Sequence, residues 1–202
     1  NQGSDDVSVV STGSRLVTDT IDVGDEPYGL AHVSIDGTTY IYVANINSDD
    51  VSVINTSTNS VIDTIDVGVK PYYVAVVGTD VYVTNGASNT VSVIDANTNT
   101  VTDTIPVGSY PRGIKAHGTD LYVANYGDPN YSGGNYISVI DSLTQTVSDT
   151  VILPAGSSGP RGVTVYGDYV YVTNYRSDNV SVINTATNAI TDTIAVGDGP
   201  RG

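Results

Sequence analysis

No cysteine, methionine, tryptophan or phenylalanine occurs anywhere in the chain, and glutamate occurs once, at Glu26. Without cysteine there is no disulfide framework and no thiol chemistry, and the redox compartment is not written in disulfides. Basic residues are scarce as well: seven Lys and Arg stand against 22 acidic residues, a formal net charge of −15. That balance argues against nucleic acid or an anionic membrane as a partner. No apolar run reaches the roughly 18 residues of a membrane span, and no signal-peptide pattern is present. Membrane insertion is therefore not expected, and a secreted protein would be represented here by its mature part. Any core has to be built from Val, Ile, Tyr and a little Leu.

What is there is one unit, repeated. The stretch 71–108, PYYVAVVGTDVYVTNGASNTVSVIDANTNTVTDTIPVG, recurs with small changes along the chain. Its Tyr-Val-Ala/Thr-Asn tetrad begins at Tyr42, Tyr82, Tyr122 and Tyr171, and its Val/Ile-Ser-Val run at Val7, Val51, Val91, Ile137 and Val180. An Asp-Thr-Ile/Val triplet begins at Asp19, Asp63, Asp103, Asp149 and Asp192, and a proline opens the units at Pro27, Pro71, Pro111, Pro160 and Pro200. Within a unit, four short β-branched and aromatic runs are separated by Gly, Asn and Asp turn residues, without helical spacing of apolar positions. These are four strands, A to D: 73–77, 81–85, 90–95 and 101–107. A four-stranded meander repeating every 40 to 49 residues predicts an all-β fold of β-propeller type, in which antiparallel four-stranded blades stack face to face.

The same tetrads and Val-Ser-Val-Ile runs resemble the YVTN family of β-propeller repeats, over essentially the whole chain. That resemblance implies a prokaryotic surface-layer or otherwise secreted protein, at an extracellular or cell-surface location. It does not imply one activity, because propellers host many functions.

The expected organisation is a single domain over 1–202. It has a partial C–D hairpin at 1–23, complete blades at 27–67, 71–107, 111–153 and 160–196, and the start of a further strand at 200–202. Four blades plus an extra hairpin predict a four- or five-bladed ring, or part of a larger one. A hairpin without its A and B strands predicts head-to-tail pairing with other copies, and a window on a longer array accounts for the same ends.

Three groups of residues carry candidate chemistry. Asp128, Asn130 and Ser132, followed by Gly133, have the alternating spacing that lets side chains converge on a hard cation such as Ca²⁺. The acid expected at the twelfth position is absent, Val139 standing there, and an Asx-rich solvated loop explains the same residues. The residues after the opening prolines, Tyr28, Tyr72, Arg112, Arg161 and Arg201, should ring one end of the central channel, where an anion or glycan could bind; pairing of the arginines with surplus Asp is the alternative. Asp19, Asp63, Asp103, Asp149 and Asp192 recur on strand D. Period-two alternation puts Asp63 on the face of Val61, Ile65 and Val67, an inward charge that protects an edge strand from aggregation. A ring of cation sites is the sharper alternative.

Enzymatic constellations are lacking. His32 and His117 stand at different offsets from their prolines, and there is no G-x-S-x-G elbow. Glu26 lies in a turn, and paired aspartates such as Asp49-Asp50 lie in solvated loops. The sequence thus favours a non-enzymatic protein of a surface layer, adhesin or fibre. A glycan- or anion-binding module comes second, and a lactonase- or quinoprotein-like enzyme third. No cofactor other than Ca²⁺ is indicated. Asn55, Asn130 and Asn179 satisfy the N-x-S/T pattern, as chance allows in so Asn-rich a chain.

Overall fold

A computed structural model describes residues 1–127 and 135–202. Its first strands, β1 (Asp6–Val10) and β2 (Val17–Asp22), form an antiparallel hairpin. Four sheets follow, each with its strands in sequence order. The first contains β3 (Pro27–Ile35), β4 (Thr38–Asn45), β5 (Asp50–Asn55) and β6 (Ser60–Asp66). The second contains β7 (Pro71–Val77), β8 (Asp80–Asn85), β9 (Thr90–Asp95) and β10 (Thr100–Pro106). β11 (Pro111–His117), β12 (Asp120–Asn125), β13 (Tyr136–Asp141) and β14 (Thr146–Ile152) make the third. β15 (Pro160–Tyr166), β16 (Tyr169–Asn174), β17 (Asn179–Asn184) and β18 (Ile190–Ala195) make the fourth.

Turn chemistry sets these breaks. Asp36 and Gly37, at φ 49° and 80°, form the two-residue turn of the longest A–B hairpin. Asn59, Asn99, Gln145 and Asn188 take the left-handed conformation in the four C–D turns. In each sheet strand A is inner and strand D outer, and β3, β7, β11 and β15 lie side by side around the axis.

Packing is between sheets. Tyr42, Val51, Val53 and Ile65 of the first blade meet Val74, Val81, Val83 and Ile94 of the second. Equivalent layers join the second blade to the third and the third to the fourth, while the N-terminal hairpin covers Val43 and Ile54 of the first. Full burial of each such Val or Ile is worth about 1.5–3 kcal/mol, so the layers supply the main stabilisation.

One polar pair is built into every unit. Asn45, Asn85, Asn125 and Asn174, at the ends of the B strands, are fully buried, and their amides donate to Ser52, Ser92, Ser138 and Ser181 at 2.8–2.9 Å. Asn1 makes the same bond to Ser8 at 2.8 Å. The pair satisfies donors that a dry interface would otherwise strand.

A second device joins unit to unit. Glu26, Lys70 and Tyr110, each just before an opening proline, have φ between 54° and 58° and donate their backbone N–H to Asp5, Asp49 and Asn89. Gly159 and Gly199 do the same toward Asn135 and Asp178. The B–C loop of one blade thereby holds the residue from which the next blade starts.

Strict alternation fails on strand D. The register shifts between Val53 and Ile54, so Asp63 pairs with Val53 while Val61 pairs with Ile54. Ile65 packs toward the second blade but Val61 packs with Ile54 toward the hairpin. The four-residue face expected from period two is therefore split by a β-bulge, which moves Val61 to the other side.

Candidate ligand site at the mouth of the channel

Strand A begins at the same end of the axis in every blade, so residues one place after the prolines are brought together. Close packing of the inner strands begins just beyond, at the third position of β3, β11 and β15. A Cβ on Gly113 would meet the carbonyl oxygen of Arg161 at 2.4 Å, and one on Gly29 would meet that of Tyr72 at 2.5 Å. Only glycine permits this approach.

Around that constriction lies a continuous set of tyrosine rings. Tyr73 and Tyr28 are edge-to-face at 5.2 Å between centroids, and Tyr28 and Tyr72 at 5.5 Å. Tyr72–Tyr110, Tyr110–Tyr126 and Tyr126–Tyr175 follow at 5.9, 6.5 and 6.2 Å. Four guanidiniums are laid on them. Arg112 stands 4.4 Å from the Tyr72 centroid and 4.7 Å from that of Tyr126, and Arg176 lies 4.3 Å from Tyr126. Arg161 and Arg201 each stand 5.4 Å from Tyr175. Such cation–π contacts are worth about 0.5–2 kcal/mol each, more where water is excluded. Of the seven basic residues in the chain, four meet here.

The electrostatics differ from ring to ring. Burial raises the Tyr28 phenol, but hydrogen bonds from Arg161 and Tyr73 and the charges of Arg161 and Arg112 together outweigh it, and the net shift is downward. Burial pushes Tyr72 well up, helped by its hydrogen bond with Tyr110, and lifts Tyr73 to about 12. The mouth therefore offers fixed positive charge, one acidified phenol and apolar ring edges. It suits a ligand with an anionic group and a flat, weakly polar body.

Of the five residues expected at this end, Tyr28, Tyr72, Arg112, Arg161 and Arg201 all lie in or against the cluster. Tyr73, Tyr110, Tyr126, Tyr175 and Arg176 were not among them. Their signal was available: Tyr110 precedes a proline, and Tyr126 and Tyr175 directly follow the tetrad Asn.

The other candidates fall elsewhere. Asp128, Asn130 and Ser132 lie outside the described residues. Among the described residues no group of three His, Asp or Glu is placed to hold a metal. Asp19, Asp63, Asp103, Asp149 and Asp192 are exposed on the outer strands, and each carboxylate accepts the N–H of the next residue, a threonine, at 2.7–2.9 Å. Their partners are this amide and, for Asp19 and Asp149, the side chains of Asn59 and Asn188 in the adjoining blade. His32 and Lys115 line a channel cavity of about 370 Å³ with Val74 and Val76, below the constriction.

Blades of four antiparallel strands, stacked on an axis with strand A innermost, define the β-propeller class, and comparison with solved structures agrees. Hydrazine synthase from Kuenenia stuttgartiensis superimposes with a TM-score of 0.75 at 18% identity, over 99% of this chain and 83% of that one. Dihydro-heme d1 dehydrogenase NirN gives 0.68 at 15% identity over 98% of this chain, which spans 43% of the NirN chain. A functionally unknown protein from Desulfotomaculum acetoxidans gives 0.78 at 14% identity, over 99% and 66%. Likeness at this identity is likeness of fold. No family model matches the chain, and no curated protein matches it, so the YVTN resemblance rests on its motifs.

Proposed function

We propose that this propeller is a non-enzymatic binding module whose ligand site is the tyrosine–arginine mouth, and that its ligand is an anionic glycan. The observation behind this reading is the gathering of four guanidiniums on tyrosine faces in a chain of net charge −15. Guanidinium forks recognise carboxylate and sulfate oxygens bidentately, and tyrosine edges and faces accept the apolar side of a sugar ring. The surrounding negative field disfavours dense polyanions such as nucleic acid. Titration of uronate oligomers against intrinsic tyrosine fluorescence, free of tryptophan background, is the test. Saturable binding that weakens with salt and is lost in Arg112→Ala and Arg176→Ala is expected; equal binding of neutral oligomers, or none of either, overturns the reading.

A second reading, assembly with other copies of the chain at an extracellular surface, has its own support. On the fourth blade Tyr171 is half-buried and Ile194 is 43% exposed, whereas the matching Tyr122 and Val151 of the third blade are 0% and 5% exposed under the next sheet. The occupant would be the N-terminal hairpin of a second copy, docked head to tail. Sedimentation of the chain with and without residues 1–23 tests it. An oligomer that needs the hairpin is expected, and a monomer at all concentrations would end this reading.

A further inference from the structure

One contact in the tyrosine cluster brings two hydroxyls within hydrogen-bond reach on rings that are tilted, at 48°, and not edge to face. Tyr72 and Tyr110 meet hydroxyl to hydroxyl at 3.2 Å, whereas Tyr28 meets Tyr72 and Tyr73 edge to face. Tyr72 is 7% exposed, on the inner strand of the second blade, and Tyr110 is half-buried in the link that leads into the third. The chain has no cysteine, methionine or tryptophan, so no more readily oxidised side chain competes with these phenols.

We infer that Tyr72 and Tyr110 form an oxidative modification site, at which a one-electron phenol oxidant of the haem-peroxidase class joins the two rings as an intramolecular dityrosine. Each phenol loses one electron and its hydroxyl proton, giving two phenoxyl radicals. The radicals couple through a carbon ortho to each hydroxyl, and loss of those ortho hydrogens to the oxygens restores both phenols. The balance is two electrons and two protons released, which one hydrogen peroxide takes up as two waters.

Geometry selects the pair. In the product the two oxygens flank the new carbon–carbon bond, so rings whose hydroxyls already touch need little movement. The edge-to-face pairs would have to turn a whole ring. Oxidation need not begin at the buried partner: Tyr126 and Tyr175 are half-buried members of the same file of rings, which carries the hole inward. Joined in this way, the second blade and the link to the third are held by a covalent bond in a chain without disulfides.

The test is treatment of the intact chain at low concentration with peroxidase and hydrogen peroxide, followed by dityrosine fluorescence and digestion with a protease cutting before aspartate. The expected product is a cross-link between the peptides Asp66–Thr79 and Asp103–Thr119. It should be lost in Tyr110→Phe and in Tyr72→Phe and kept in Tyr73→Phe and Tyr166→Phe. Both losing variants keep the ring, and their unchanged circular dichroism separates lost chemistry from lost fold. Because Tyr166 is 81% exposed, an ordinary surface reaction would instead give dimers joined through it. Dimers as the main product, or fluorescence without the expected peptide pair, overturn the proposal.

Discussion

Arg161 Nη2 donates a 2.8 Å hydrogen bond to the hydroxyl of Tyr28, linking the inner strand of the fourth blade to that of the first across 133 residues of chain. The bond spans the channel mouth, whereas the sheet-to-sheet layers join blades adjacent in sequence. It also fixes the protonation behaviour of the phenol.

Tyr28 should ionise below the ordinary tyrosine range, since Arg161, with help from Tyr73 and Arg112, outweighs the opposing effect of burial. Ultraviolet difference titration should show one early phenol, absent in Tyr28→Phe and moved upward in Arg161→Ala. A titration curve unchanged by either substitution would remove the electrostatic account of the mouth.

Tyr42, Tyr82 and Tyr122 are each pushed from 10.0 up to about 12, first by burial and then by nearby aspartates such as Asp63, Asp80 and Asp120. A phenol whose folded pKa is raised stabilises the fold fully below its unfolded pKa and loses that contribution as pH climbs through the folded one. Denaturation midpoints should therefore fall between about pH 10 and about pH 12. Tyr82→Phe should flatten the fall.

Ser92→Ala removes the hydroxyl that accepts from the fully buried Asn85 amide at 2.9 Å. The stranded donor should cost about 1–3 kcal/mol in urea unfolding. The same change at exposed Ser60 should cost much less.

Gly113→Ala would place a methyl 2.4 Å from the Arg161 carbonyl oxygen, a backbone atom with little room to yield. Overpacking of this kind costs about 1–3 kcal/mol. Because the strain falls directly beneath Arg112 and Arg161, the variant should also weaken ligand binding at the mouth. A melting temperature equal to the parent's would show that the inner strands can part freely.

Asp63 and Asp103 sit on outer edge strands, each holding the amide of the following threonine. Replacing both by valine should leave the far-ultraviolet spectrum intact and promote association, as the edge loses its charge. Light scattering that matches the parent would assign these residues to local backbone geometry alone.

The sheets were legible because a motif repeated along the chain states its own period, and because Gly, Asn and Asp at fixed places announce each turn. Strand alternation breaks at recurring bulges, near the start of each strand A and again on strand D, where opposite Val53 an extra residue sent Val61 to the other side; nothing in the local sequence marks such slips. The arginines and tyrosines after the prolines could be placed at one end from their equivalence. Tyr110, Tyr126, Tyr175 and Arg176 carried a weaker signal, their places near a proline or the tetrad Asn, because the meeting of those loops and links at the axis is a property of the stacked blades. Alternation says which face a side chain takes, not which loops converge.

The lock in which Asp49 or Asn89 holds the residue ahead of the next proline closes within 21 residues of chain. For an all-β protein that is a short loop, and the strand pairings beside it are between sequence neighbours as well. Loop-closure entropy for each step is small, so the topology favours rapid folding over the slow search typical of sheets with distant partners. Each blade can settle against the one before it while later blades are still being synthesised. Arg161 and Tyr28 would be among the last groups to find one another.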